Sequence, residues 1–199
     1  MGLVITGGVF RGRRLATDPD SKVIRPTSGK VREALFSSLG ERVAGSAFVD
    51  LYAGSGAVGL EALSRGAREV HLVENHPRSW ALLKANCKAL TGSYAPGPAG
   101  RDLPDSRIVP VHAEAAAFCL RMHGEGAVFD LVFADPPFDS DFSHLWESLA
   151  GVLAQEGTAV VQFPARKPPS WISQAGKVKR YGESGLAFLS APGRSGPVL

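Results

Sequence analysis

The chain has 199 residues, of which 44% are hydrophobic and 21% charged, and its formal net charge is +3. This composition is typical of a folded globular domain and excludes a chain that is disordered along most of its length. The sequence has no apolar run near the roughly 20 residues that cross a bilayer and no leader segment, so we expect a cytoplasmic protein. Cys87 and Cys119 are far apart, which excludes a disulfide framework, and we expect reduced core thiols and no bound metal.

The first segment of the chain is basic and is predicted to form a small hairpin. Residues 1–32 contain seven basic and two acidic side chains, whereas the rest of the chain is slightly acidic. The segment from Val4 to Leu15 indicates two short strands, with Gly7-Gly8 at a turn. Charge alone leaves two interpretations open: an arm that contacts a polyanion, or a solvated face that keeps the protein soluble.

The remaining elements alternate along the chain. Apolar residues at helical spacing predict a first helix from Val31 to Leu39, with Thr27 or Ser28 as its N-cap. Strands are then predicted at 47–51, 69–74, 107–111, 128–134 and 158–163, helices up to 65 and at 77–90, 114–121 and 141–153, and a closing hairpin at 177–181 and 186–190. This pattern predicts a parallel sheet with helices on both faces, whose ligand lies at the carboxyl ends of the strands.

A glycine-rich motif follows the first strand of this predicted sheet. Asp50 precedes Gly54-x-Gly56-x-x-Gly59, which matches the dinucleotide fingerprint, and Glu74 lies 20 positions beyond Gly54. The motif indicates a nucleoside ligand, but alone it does not separate a nicotinamide cofactor from S-adenosylmethionine. Asp50 favours S-adenosylmethionine, because its negative charge would oppose a pyrophosphate and suits cationic amino and sulfonium groups.

The candidate cofactor-binding residues lie at the ends of the first three strands. Glu74 is expected to accept hydrogen bonds from the ribose hydroxyls. Glu114 has two interpretations of equal weight: an acceptor for the adenine amino group, or a helix N-terminal acid stabilised by the macrodipole. The full set is Asp50, Ala53, Gly54, Ser55, Gly56, Glu74, Glu114 and Ala115.

The fourth strand runs into Asp135-Pro136-Pro137-Phe138, which we interpret as the catalytic motif. The prolines have fixed φ angles and no N–H groups, so Asp135 and nearby carbonyls form a cluster of acceptors. Such a cluster suits the exocyclic amino group of a base, whose N–H groups would bond Asp135 and the Pro136 carbonyl while its lone pair faces a methyl donor. Phe138 would stack on the base, which leaves its helix or loop to reach the pocket. A plain turn after a buried strand is the simpler alternative.

These motifs resemble those of a bacterial family, the 16S ribosomal RNA guanine-N2 methyltransferases of the RsmD type. The likeness runs to about residue 190 and is carried by the hairpin Gly7 to Leu15, Arg25-Pro26-Thr27, Asp50 to Leu63, Asp135 to Phe138 and Tyr181-Gly182. It implies a class I S-adenosylmethionine-dependent methyltransferase fold, Rossmann-like with a mostly parallel seven-stranded sheet. It also implies that the target is a guanine of 16S ribosomal RNA, of the guanine 966 type, in the 30S subunit or an assembly intermediate.

The resemblance further implies that the hairpin contacts RNA, which gives the candidate RNA-binding residues Arg11, Arg13, Arg14, Arg25, Lys30 and Arg32. We accordingly expect a hairpin and linker at 1–26, a methyltransferase domain at 27–190 and a flexible tail at 191–199, in a monomer without membrane contacts. The family often has Asp or Asn in place of Glu114 and commonly has Glu in place of Gln162. Three other functions stay open: a DNA adenine-N6 or cytosine-N4 methyltransferase, a nicotinamide-dependent oxidoreductase, and a non-catalytic RNA-binding assembly factor.

Overall fold

The computed structural model describes residues 3–18, 27–92, 97–98, 103, 105–137 and 142–191. Its strands are β1 Leu3–Val4, β2 Arg14–Leu15, β3 Ala47–Leu51, β4 Glu69–Glu74, β5 Gly97–Pro98, β6 Arg107–His112, β7 Phe129–Ala134, β8 Leu153–Pro164, β9 Lys177–Tyr181 and β10 Ser184–Ser190. Its α-helices are α1 Gly29–Leu39, α2 Ala57–Ser64, α3 Pro77–Thr91, α4 Ala115–Gly124 and α5 Phe142–Ala150, and short 3-10 helices span Gly40–Val43 and Ser170–Gln174.

The main sheet has the strand order β5-β6-β4-β3-β7-β8-β10-β9. Strands β6, β4, β3, β7 and β8 are parallel, whereas β10 runs antiparallel between β8 and β9. The predicted mostly parallel seven-stranded sheet is therefore confirmed. The two-residue strand β5 is an addition, because it pairs with the edge of β6 at a place where the sequence analysis predicts no strand.

The strand order reverses between β3 and β7, which are parallel neighbours in the centre of the sheet. From β3 the chain proceeds outward through β4 and β6, and it then returns to β7 and β8 on the other side. Leu51 at the end of β3 pairs with Ala134 at the end of β7. The segments that follow these two strands consequently meet at a topological switch point, which is where open α/β sheets bind their ligands.

Both faces of the sheet are covered by apolar side chains. On one face, Phe48 and Phe133 belong to a buried core that includes residues of the hairpin and of α1, α2 and α3. On the other face, Val49 and Val132 pack into a second core with residues of α4. Cys87 and Cys119 are free thiols, one in each core, as the sequence predicts. None of the helices in the described part of the chain is long and apolar enough to cross a membrane.

The N-terminal hairpin is confirmed, and it packs against the main domain. Leu3 pairs with Leu15 and Val4 with Arg14, antiparallel to each other. Phe10 is buried in the core beneath α1 and α2. The Val9 N–H donates a 2.8 Å hydrogen bond to the Ser64 carbonyl at the end of α2, so the hairpin is anchored by main-chain contacts as well as by apolar packing.

The structure decides where α1 begins and corrects where α5 ends. The Ser28 hydroxyl accepts a hydrogen bond from the Val31 N–H at 3.3 Å, so Ser28 is the N-cap of α1. The helix predicted at 141–153 is too long, since α5 ends at Ala150 and Leu153 already belongs to β8, where it pairs with Phe129. Sheet pairing outweighs the helical spacing at that end. The predicted tail lies outside the described residues, apart from residue 191.

Candidate functional site

The glycine-rich loop connects β3 to α2 at the carboxyl edge of the sheet. The Ala53 N–H donates to the Val73 carbonyl at 2.9 Å, and the Gly56 N–H donates to the Ala53 carbonyl at 2.7 Å. Gly54 and Gly56 have φ angles of 56° and 81°, in the left-handed region that glycine adopts without steric cost. The tight turn brings the N-terminus of α2 to the edge where the ends of β3, β4 and β7 meet.

Asp50 lies at the base of this loop and is almost completely buried, with 1% of its surface exposed. Its Oδ2 accepts a 2.8 Å hydrogen bond from the Gly59 N–H in the first turn of α2. Burial raises the pKa of Asp50 to about 8; the bond from Gly59 opposes this, and the nearby Asp135 and Glu74 carboxyls add to it. The carboxyl therefore anchors the helix, and a cation bound beside it would favour its charged form.

Glu74 is buried at the end of β4, and the backbone holds both of its oxygens. Oε2 accepts from the Gly54 N–H at 2.8 Å, and Oε1 accepts from the His76 N–H at 2.7 Å. A carboxylate oxygen accepts more than one hydrogen bond, so both oxygens keep acceptor capacity for a ligand. The side chain is thus a fixed pair of acceptors beside the glycine loop.

Asp135 follows the last residue of β7 and is half-buried. The Thr27 hydroxyl donates to Asp135 Oδ2 at 3.4 Å, a contact that the sequence analysis missed because the two residues are far apart in the chain. Burial raises the pKa of Asp135 to about 7, and the bond from Thr27 opposes that rise. Pro136 is half-buried and Pro137 exposed, while Phe138 lies outside the described residues. Asp135 is thus held from one side and open on the other.

Tyr52 is a residue of the site edge that sequence reasoning also missed. Among the described residues, Tyr52 is the one non-glycine residue whose φ angle is positive, at 64°. Holding a tyrosine in the left-handed region costs about 1–2 kcal/mol, and such strain concentrates at functional sites. Burial raises the pKa of its hydroxyl to about 12, with smaller contributions from Cys119 and Glu114. Periodicity carries no signal for a backbone conformation of this kind.

Glu114 and Ala115 lie at the start of α4, after β6. Glu114 is the N-cap residue and is exposed, and its side chain makes no capping hydrogen bond. The charge of Glu114 contributes to the raised pKa of the Tyr52 hydroxyl, so Glu114 lies near the end of β3. Ala115 is buried in the second core. The carboxylate of Glu114 is therefore accessible at the same edge as the glycine loop, and both of its interpretations remain compatible with this position.

The prediction that Arg32 contacts RNA is wrong, because Arg32 is 1% exposed. Its Nε donates to Glu61 Oε2 at 3.2 Å, its Nη1 donates to the Thr27 carbonyl at 3.4 Å, and its Nη2 donates to the Val4 carbonyl. It is an internal tie between the hairpin, the start of α1 and α2. Of the other predicted RNA contacts, Arg25 lies outside the described residues, and those exposed to solvent are Arg11, Arg13, Arg14 and Lys30.

Replacing Gly59, the third glycine of the motif, is expected to disturb the packing of α2 against the sheet. A Cβ on Gly59 would lie 2.2 Å from Leu72 Cδ2 and 3.1 Å from Asp50 Cβ, so either the buried Leu72 side chain or α2 would have to shift. We expect Gly59→Ala to destabilise the fold by about 1–3 kcal/mol, as overpacking does. Gly29→Ala is the matched control, since nothing lies within 4 Å of its Cβ position, and it should be neutral or slightly stabilising. Equal urea midpoints for the two variants would contradict this account of the helix–sheet contact.

Comparison with known proteins gives the family. Residues 3–190 match the sequence model of the family described as conserved hypothetical protein 95. The ribosomal RNA small subunit methyltransferase D of Escherichia coli K12 is 38% identical over 134 residues, which cover 67% of this chain and 59% of that protein. The protein of the same name from Haemophilus influenzae is 34% identical over 134 residues, covering 67% and 63%. The matched segment thus spans about six tenths of the length of these relatives.

Solved structures agree in fold over nearly the whole chain. A hypothetical protein of Thermus thermophilus superposes with a TM-score of 0.76 at 31% identity, covering 94% of this chain and 98% of that one. A putative methyltransferase of Escherichia coli, yhhF, also gives 0.76, at 28% identity and coverages of 98% and 100%. A putative methyltransferase complexed with SAH shares the fold, with a TM-score of 0.64 at 16% identity. The chain therefore has the fold of S-adenosylmethionine-dependent methyltransferases and belongs to the conserved hypothetical protein 95 family.

Proposed function

We propose that the chain transfers the methyl group of S-adenosylmethionine to the exocyclic N2 amino group of a guanine in small-subunit ribosomal RNA. The observation that carries this proposal is the position of Asp135 and its two prolines. They follow β7 at the switch point, directly beside the loop between β3 and α2. An acceptor cluster for an amine is thereby combined with a nucleoside-binding loop at one edge of the sheet.

The residues at this edge fit S-adenosylmethionine better than a dinucleotide. Three carboxyl groups lie close together at this edge, those of Asp50, Glu74 and Asp135. The Asp135 and Glu74 carboxyls each raise the pKa of Asp50. That field attracts an ammonium and a sulfonium group, and it opposes a pyrophosphate. The two oxygens of Glu74 suit the hydroxyls of a ribose. The chemistry that this cofactor supplies is an electrophilic methyl carbon bonded to sulfur.

The chain's own residues supply orientation. Thr27 holds Oδ2 of Asp135, which leaves Oδ1 and the carbonyl of Pro136 to accept the two N–H groups of the target amine. These bonds withdraw the nitrogen lone pair from the ring and aim it at the methyl carbon. S-adenosylmethionine held beside Asp50 and Glu74 would supply the methyl group, and its sulfur would keep the electron pair of the broken sulfur–carbon bond as a neutral thioether. The methylated nitrogen is then cationic and acidic, and its proton passes to Asp135 or to water.

Two observations support ribosomal RNA as the acceptor. The relatives from Escherichia coli and Haemophilus influenzae carry the name ribosomal RNA small subunit methyltransferase D. The hairpin of this chain exposes Arg11, Arg13 and Arg14, which suits contacts to phosphates. We propose the 30S subunit or an assembly intermediate as the substrate particle. Adenine or cytosine in DNA is the second candidate acceptor, because the Asp135 geometry suits any exocyclic amine.

A panel of acceptors tests this proposal. The protein is incubated with tritiated S-adenosylmethionine and with 30S subunits from a strain that lacks the homologous gene, with protein-free 16S ribosomal RNA, or with duplex DNA. We expect incorporation into the RNA of the 30S subunit and none into DNA. Incorporation into DNA alone would contradict the proposed acceptor, and binding to 30S subunits without incorporation would indicate an assembly factor.

The affinity for S-adenosylmethionine is expected to rise with pH. Burial raises the pKa of Asp50 to about 8. A cationic ligand favours the Asp50 carboxylate and lowers this pKa, so binding releases a proton, and the affinity should rise from about pH 6 and level off above about pH 8. Calorimetry of wild type and Asp50→Asn at several pH values checks this. The amino group of the ligand titrates equally with both proteins, so a difference between their slopes of affinity against pH comes from Asp50. Equal slopes of affinity against pH would contradict the role of Asp50.

A further inference from the structure

Gln162 lies next to Asp135 at the carboxyl edge of the sheet. β7 and β8 are parallel neighbours, and Ala134 pairs with Val161. The next residue of β8, Gln162, is therefore level with Asp135, the next residue after β7. Neighbouring strands are about 4.8 Å apart, so the two residues are adjacent across the strands.

The two side chains also share a face of the sheet. Phe133 and Val160 are paired, and both belong to the core that includes α1 and α2. Because side chains alternate along a strand, Gln162, two residues beyond Val160, points to that same face. Asp135 receives its hydrogen bond there from Thr27, just before α1. The amide of Gln162 therefore borders the place where the target amine is proposed to bind.

The side-chain oxygen of Gln162 is buried and accepts no hydrogen bond within the described part of the chain. The residue as a whole is 9% exposed. Buried polar atoms nearly always have partners, and an unpaired one carries the full cost of its lost hydration. An unpaired acceptor beside a catalytic motif indicates that the substrate supplies its hydrogen-bond donor.

An acceptor at this position discriminates among the amino bases. In guanine, the ring nitrogen N1 next to the exocyclic amine carries a hydrogen and is a donor. In adenine and cytosine, the ring nitrogen next to the amine has a lone pair and is an acceptor. With the amine fixed at Asp135, an oxygen on that side pairs with guanine and opposes the lone pair of the other two bases.

We propose that the Gln162 side-chain oxygen accepts a hydrogen bond from the ring N1–H of the target guanine, and that this contact selects guanine over adenine and cytosine. This inference rests on the proposed function, since it assumes that a base amine is bound by Asp135. It assigns Gln162 to specificity, whereas Asp135 and Pro136 orient the reacting nitrogen.

The test uses 2-aminopurine, which keeps the N2 amine of guanine but has no hydrogen on N1. The target guanine, first located by mapping the methylated nucleotide, is replaced by 2-aminopurine in ligated 16S ribosomal RNA that is assembled into 30S particles. Single-turnover methyl transfer is measured on both particles. Wild type is expected to prefer guanine by about ten- to hundredfold, as for loss of one buried hydrogen bond.

Two variants identify the source of that preference. Gln162→Met, which removes the acceptor at similar size, should slow transfer to guanine and reduce the preference to near one. Gln162→Glu keeps an acceptor oxygen at this position. It should retain the preference for guanine at pH 8.5, where the neighbouring carboxyl groups of Asp50 and Asp135 are ionised. A preference that Met leaves unchanged, or equal slowing on both particles, would overturn the assignment of Gln162. A wild-type protein that methylates neither particle would instead overturn the proposed function, and this inference with it.

Discussion

Replacing Asp135 with alanine is expected to slow methyl transfer by at least about a thousandfold while the affinity for S-adenosylmethionine changes little. The carboxylate is proposed to accept an N–H of the target amine and orient its lone pair, and orienting and electrostatic contacts of this kind contribute factors of that size. The glycine loop and Glu74 are held by hydrogen bonds that do not involve Asp135, so we expect the cofactor contacts to survive. Single-turnover transfer to 30S subunits and calorimetry with S-adenosylmethionine measure the two effects separately.

Asp135→Asn is the informative companion variant. It keeps one acceptor oxygen and the size of the side chain, so its loss should be smaller, about a hundredfold. When that oxygen faces the target amine, the amide nitrogen faces Thr27, whose hydroxyl can accept a hydrogen bond from it. Full activity of Asp135→Ala on 30S subunits would show that Asp135 is not the orienting group. Loss of cofactor binding in that variant would place Asp135 in the cofactor site instead.

Glu61→Gln is expected to destabilise the fold by about 3–5 kcal/mol. Glu61 is fully buried and pairs with Arg32 at 3.2 Å and with Arg65 at 2.8 Å. Neutralising it leaves the buried guanidinium of Arg32 without its counter-charge, which is the costly way to break a buried pair. In a chain of this length the melting temperature should fall by about 6–20 °C. Urea and thermal unfolding of the purified variant give both values.

The control for Glu61→Gln is the same substitution at Glu183. Glu183 pairs with Arg166 at 3.4 Å, and both side chains are mostly exposed, so Glu183→Gln should change stability by less than about 1 kcal/mol. The double variant Arg32→Met with Glu61→Leu should regain part of the stability, since it removes both buried charges. A Glu61→Gln protein as stable as Glu183→Gln would contradict the interpretation of Arg32 as an internal tie.

The parallel strands of the sheet were the most predictable part of the fold. β3 and β4 begin and end where the sequence indicates, because each is a short segment built around buried Val and Leu residues and bounded by a polar or glycine-rich turn. The glycine loop was predictable from local chemistry, since glycine adopts the left-handed backbone of Gly54 and Gly56 without steric cost. Local pattern and local backbone chemistry are sufficient for such features.

The errors and omissions involve contacts between distant segments. Arg32 stands in a basic segment, and its charge suggested RNA, but its partner Glu61 lies on another helix. Neither the contact of Thr27 with Asp135 nor the position of Gln162 beside it was predicted, because both depend on how α1 and β8 are placed against β7. Pairing across strands and burial of a charge are properties of the tertiary fold, and a single sequence shows neither.

The most direct test of the central claim is to identify the nucleoside that the protein methylates. Unmodified 30S subunits are incubated with the protein and with S-adenosylmethionine carrying a deuterated methyl group, and the ribosomal RNA is digested and analysed by mass spectrometry. The account predicts deuterated N2-methylguanosine at a single site, absent with Asp135→Ala. Label in N6-methyladenosine or N4-methylcytidine, or no label in ribosomal RNA, would contradict it.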